Sequence, residues 1–118
     1  MVDDSYFCHI VIPCRDYEKT GTFFEKVFGW KVEPQAGTGF MDVLPPSGKG
    51  PSAELNCEER VVVPTICVGE IDAKLALVQK LGGKKLKGKT PIGEKGEFGY
   101  YALFEDPVGN KMCLYGEK

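Results

Sequence analysis

The run Phe7-Cys8-His9-Ile10-Val11-Ile12-Pro13, then Asp16, then Phe23-Phe24-Glu25-Lys26-Val27-Phe28-Gly29-Trp30, decides the fold. Its first part is apolar, rich in β-branched residues and closed by a proline, which predicts a strand that ends or bulges at Pro13. Asp16 follows at the right place to cap a helix, since its carboxylate can accept otherwise unpaired N–H groups. Tyr17, Gly21 (or Thr20), Phe24, Val27 and Phe28 recur at spacings of three and four, and Phe23 widens that apolar stripe. Gly29 predicts a left-handed stop. The same order returns 54 residues later, between Val61 and Leu86: Asp16 falls on Glu70, Glu18 on Asp72, Phe24 on Val78, Val27 on Leu81 and Gly29 on Gly83. Two copies in so short a chain predict one domain of two similar halves, about residues 5–57 and 61–116.

The segments between follow from the same signals. Trp30 to Gln35 and Phe40 to Leu44 predict strands joined by a turn at Gly37 to Gly39, with Pro45 and Pro46 stopping the second. Ser52 to Asn56 predicts a weaker strand. Ser47 to Pro51 lacks the glycine spacing of a phosphate-binding loop and opens no helix. In the second half, Val61 to Val68 predicts a strand broken by Pro64, and Glu70 to Leu81 a helix with Ile71, Leu75, Val78 and Leu81 on one face. Lys84 to Leu86 predicts a short strand and Lys87 to Glu97 a mobile loop. Phe98 to Glu105 and Lys111 to Tyr115 are then strands around the turn sequence Asp106 to Asn110.

Composition narrows the class of partner. The 118 residues carry 42% hydrophobic and 27% charged side chains, the balance of a globular chain rather than a disordered one. A net charge of -2 gives no bulk attraction for nucleic acid, and the lysines from Lys80 to Lys89 are local to one helix end and loop. No apolar stretch is long enough to cross a membrane as a helix. Five cysteines, an odd number without a CxxC pair, point to a reducing, cytoplasmic setting and to packing rather than a disulfide framework.

The first stretch, together with Tyr101 to Tyr115 and its Phe104-Glu105-Asp106-Pro107-Val108-Gly109-Asn110, resembles the vicinal-oxygen-chelate superfamily of glyoxalases, bleomycin resistance proteins and extradiol dioxygenases. The resemblance implies an α+β fold in which two βαβββ modules form one cupped mixed sheet, and a homodimer. It also implies that metal-using members draw ligands from the first and last strand of each half. His9 stands at the first such position and Glu54 matches the second, whereas Val63 and Cys113 stand where the other half's ligands are found. Half of the implied ligand set is therefore changed.

Three functions follow from the resemblance. The first is binding of a small molecule in the cup without a standard metal site, with His9, Glu54, Phe40, Tyr101 and Cys113 lining the pocket. The second is a glyoxalase-like lyase or isomerase with zinc, nickel, manganese or iron on His9, Glu54 and Cys113, with Cys67 as a further candidate donor and Glu54 shuttling the proton. The third is a structural or assembly role alone. Each residue keeps a second reading: His9 as a pocket or structural residue, Cys113 as inert packing or as a thiol activated by His9. Glu54 is a general base if burial raises its pKa.

Overall fold

The computed structural model describes residues 4–118. Their elements are β1 (Tyr6–Pro13), α1 (Tyr17–Phe28), β2 (Lys31–Pro34), β3 (Met41–Leu44), β4 (Ser52–Asn56), β5 (Val63–Cys67), α2 (Ile71–Lys80), β6 (Lys84–Pro91), β7 (Tyr100–Glu105) and β8 (Lys111–Gly116). This is the α+β class, with the order strand, helix, three strands occurring twice. Contacts divide the chain into two compact units, Cys8–Val63 and Pro64–Lys118, the latter with the described residues through Phe7.

In the first unit the strand order is β2-β3-β4-β1. β1 runs parallel to β4, with His9 opposite Ser52 and Val11 opposite Glu54, while β3 is antiparallel to both β2 and β4. A parallel pair needs a long crossover, and α1 with β2 and β3 supplies it. Asp16 caps α1 by accepting the Lys19 N–H at 3.0 Å, and Gly29 ends it at φ 70° with its N–H on Glu25 O. Gly21 is buried in mid-helix because a Cβ there would stand 3.3 Å from Val32 Cγ1, so its absence lets α1 lie close on β2. Cys14, Val43 and Leu55 form the core, with Ile12, Tyr17, Phe24, Trp30 and Val32 packed around them.

The apolar stripe of α1 is narrower than its sequence suggests. Phe23, Val27 and Phe28 are more than half exposed. At about 100° of turn per residue, Phe23 and Val27 lie on the flank of the line through Tyr17, Gly21 and Phe24. Phe28 is on that line but past the sheet's cover, and it stacks on Trp30 at 4.7 Å. Trp30, Gln35 and Phe40 fall just outside the strands predicted to contain them.

In the second unit the order is β5-β8-β7-β6, with β5 parallel to β8 and the other neighbours antiparallel. Val68, Ile71, Leu75, Ala102, Phe104 and Leu114 form its core under α2. Leu81 does not join them: it is the C-cap of α2 and 71% exposed, because the chain has left helical geometry there. Gly82 and Gly83 close the helix, the Gly83 N–H reaching Val78 O at 2.8 Å. Pro64 lies inside β5 and does not break it. The pairs to β8 begin at Thr65, and Val61 and Val62 are left outside the strand and exposed.

The largest departure from expectation is β6. Lys87 to Pro91 is strand, not mobile loop, and only residues 92–99 form the connection to β7. Tyr100 and Tyr101 of β7 account for the extension. Lys87 Nζ stands 4.9 Å from the Tyr101 ring centroid and Lys89 Nζ 4.6 Å from that of Tyr100, one contact on each side of successive residues. Register shifts between Lys85 and Lys87 and between Lys87 and Thr90 absorb the irregular Gly-containing sequence. The connection is itself tied, Ile92 N–H to Gly99 O at 2.9 Å and Lys95 N–H to Glu97 Oε1 at 3.0 Å.

Candidate functional site

Alternation along the strands of the first unit sorts its two faces. Ile12, Ala53, Leu55, Val43, Met41 and Val32 turn toward α1. Their neighbours His9, Asp42, Ser52, Glu54 and Asn56 therefore share the other face, and the register sets Asp42 directly opposite Glu54. A buried carboxylate on such a face is tolerated only with donors around it.

Glu54 has them. His9 Nε2 is 2.8 Å from Glu54 Oε1, Gln35 Nε2 donates to the same oxygen at 3.4 Å, and Asn56 Nδ2 donates to Oε2 at 3.1 Å. Burial pushes the Glu54 carboxyl up, but the hydrogen bonds from His9, Asn56 and Gln35 and the charge of His9 together hold it below its ordinary value. From the sequence, Glu54 is a general base on the condition that burial raises its pKa; the donors around it reverse that sign. Glu54 is an ionised acceptor and, while these bonds last, a weak base.

On its other side, His9 Nδ1 lies 2.6 Å from Ser52 Oγ, whose hydroxyl can donate to Cys8 O at 3.3 Å. With Ser52 donating to Cys8 O, its oxygen is left to accept from Nδ1. With Nδ1 bare, Ser52 turns its proton onto the ring instead. The His9 side chain is 21% exposed and that of Glu54 12%, so the imidazole is the part of the pair that a ligand can reach.

The turn after β2 aims Gln35. Gln35 donates to Asp42 Oδ1 at 2.7 Å, and its own oxygen accepts from Thr38 Oγ1 at 2.6 Å, which in turn accepts the Phe40 N–H. Phe40, half-buried, is thereby fixed at the end of the same turn. Gln35, Asp42, Ser52 and Asn56 were not anticipated as site residues. The alternation Ser52-Ala53-Glu54-Leu55-Asn56 already carried the signal for two of them.

Of the anticipated residues, His9 and Glu54 are brought into contact, and Phe40 belongs to the same unit. Tyr101 and Cys113 belong to the other unit. Tyr101 OH is 2.6 Å from Lys87 Nζ, and Cys113 is 7% exposed, with its thiol directed to Leu114 O at 3.4 Å. Val63, in the position equivalent to His9, is 1% exposed. Among the described residues, no three His, Cys, Asp or Glu side chains gather into a group fit for a metal ion. Within the first unit, His9 and Glu54 bring together an imidazole and one carboxylate, against the three or four donors of a zinc site.

A duplicated βαβββ unit with a polar strand face defines the structural class. The chain belongs to the glyoxalase-like domain family, whose profile matches residues 9–115, and so to the vicinal-oxygen-chelate superfamily. No curated protein is similar enough in sequence to count as a relative. Solved structures share the fold at low identity. A hypothetical protein from Bacillus halodurans matches with TM-score 0.71 at 16% identity, over 98% of this chain and 96% of that one. Methylmalonyl-CoA epimerase from Mycobacterium tuberculosis matches with TM-score 0.65 at 14% identity, over 98% and 92%. A Streptomyces coelicolor methylmalonyl-CoA epimerase, in complex with 2-nitronate-propionyl-CoA, matches with TM-score 0.64 at 18% identity, over 93% and 95%.

Proposed function

We propose that this chain binds a small molecule at His9, on the polar strand face of its first unit, through a site complete without a metal ion. The observation that carries this is the His9–Glu54 contact at 2.8 Å, in which Glu54 uses both oxygens on donors of its own unit. Such a carboxylate orients His9 and is poorly placed to take a substrate proton. The ligand carries a carbonyl or carboxylate oxygen that replaces Ser52 at Nδ1, with Phe40 as an apolar neighbour.

The test is nuclear magnetic resonance titration of untagged protein with a panel of small carbonyl- and carboxylate-bearing compounds, beside titrations with zinc, nickel, manganese and iron. Shifts are expected at His9 and Ser52, with about tenfold weaker binding in His9→Ala for the loss of one hydrogen bond. Stoichiometric metal that disappears in His9→Ala would overturn the proposal in favour of a metal-dependent lyase or isomerase. Failure of every compound and every metal would favour a structural role.

A second copy of this chain is the proposed partner. Phe23 and Val27 line an open groove along α1 with Ile12, Thr20 and Phe24, and exposed apolar rows of this kind favour association. Sedimentation is expected to give twice the chain mass, and Phe23→Glu to return it to one. An unchanged oligomeric state in that variant would place the contact elsewhere.

A further inference from the structure

The last register pair of β1 and β4 is Pro13 with Asn56. Cys14 and Cys57 are the first residues past these strand ends. The Cys14 N–H donates to Asn56 O at 3.2 Å, which holds Cys14 beside the residue that precedes Cys57. Neighbouring strands lie about 4.8 Å apart, inside the roughly 4.4–6.8 Å between Cα atoms that a disulfide spans. Cys14 packs in the core with Val43 and Leu55, and Cys57 opens the turn that follows β4. They differ in access: Cys14 is 6% exposed, whereas Cys57 is open to solvent.

The first residue of α1 meets both. The Cys57 N–H donates to Tyr17 OH at 3.1 Å. Burial first, then the Cys57 thiol, and more weakly the charge a Cys14 thiolate would carry, push the Tyr17 phenol up. The two cysteines therefore converge on one hydroxyl, which stays protonated and can donate to a sulfur.

We infer that Cys57 and Cys14 form an oxidant-sensitive dithiol, in which Cys57 reacts with hydrogen peroxide and Cys14 resolves it to a disulfide. In the first step the Cys57 thiolate attacks one peroxide oxygen; an S–O bond forms, the O–O bond breaks, and the departing hydroxide leaves as water with the thiol's proton. In the second, Cys14 sulfur attacks Cys57 sulfur; the S–S bond forms, the S–O bond breaks, and the second water leaves. Two thiols are oxidised and one peroxide is reduced. The bridge ties the end of β1 to the residue after Asn56, whose amide donates to Glu54. Oxidation is thus connected through one residue to the His9–Glu54 pair.

The test is exposure of the folded chain to hydrogen peroxide with dimedone present, followed by thiol counting in denaturant and non-reducing peptide mapping. Reactive thiols are expected to fall from five to three per chain, with a Cys14–Cys57 peptide that dithiothreitol dissolves. In Cys14→Ala, dimedone is expected on Cys57 with no internal crosslink. In Cys57→Ser, the peroxide-dependent loss of two thiols disappears. Dimedone on Cys57 of the unaltered chain without a crosslink, linkage of Cys57 to any other cysteine, or no reaction at peroxide levels that oxidise free cysteine would each overturn the inference. Thiol counts and peptide maps of the unaltered chain are sufficient by themselves, even where a variant misfolds.

Discussion

Ile71→Ala is expected to destabilise the protein by about 2–5 kcal/mol, a large share of the roughly 5–15 kcal/mol that holds a domain of this size folded. Ile71 is the first residue of α2 and 1% exposed, among Val68, Leu75, Ala102, Phe104 and Leu114. It also covers Gly116 at the end of β8, where a built Cβ would stand 3.3 Å from Ile71 Cγ1. Gly116 has no side chain to swing into the space that alanine leaves, and Ala102 across the sheet has none to spare. Urea unfolding of the variant should show a lower midpoint at an unchanged slope, since the same surface is exposed on unfolding. A loss below about 1 kcal/mol would mean that the α2 cluster collapses around the gap, contrary to close packing there.

Glu54→Ala is expected to cost about 1.5–3 kcal/mol, the range for hydrogen bonds to a charged group, because it removes the acceptor of His9, Asn56 and Gln35 together. Its signature is in the pH dependence. The folded carboxyl lies below the ordinary value of 4.5, so its contribution is present in full above that value. As the pH falls through the lower folded-state value, the unfolded chain has already taken up its proton and the contribution is lost. Glu54→Gln keeps the shape of the side chain and should remove that acid-dependent component while leaving the core intact. Urea midpoints measured from neutral pH to well below 4.5 check it, and parallel curves for both proteins across this range would show that Glu54 is not the ionised acceptor described.

Local chemistry was the legible part of the fold. Asp16, the Tyr17–Gly21–Phe24 line and Gly29 specify α1 within one stretch, because a cap, a stripe and a stop each depend only on near neighbours. Lys87 to Pro91 misled for the opposite reason. Its own residues are those of a loop, and the partners that make it a strand, Tyr100 and Tyr101, come about ten residues later or more. Phe23 and Val27 misled because apolar spacing shows how wide a stripe is and not how much of it a sheet covers.

The site divides in the same way. His9 and Glu54 lie on strands that the sequence predicts. The charge state of Glu54 was not legible there, since it depends on whether donors or bare burial surround the carboxylate. Gln35 and Asp42 entered only through antiparallel pairing and a turn that no single segment specifies. The sequence by itself determined two βαβββ modules and their family, both of which rest on residue type and short-range spacing. Tertiary structure alone decided that His9 meets Glu54, that Glu54 stays ionised, and that Cys14 comes beside Asn56. The two pairings are contacts across more than forty residues of chain, and strand register, which no local preference encodes, is what sets them.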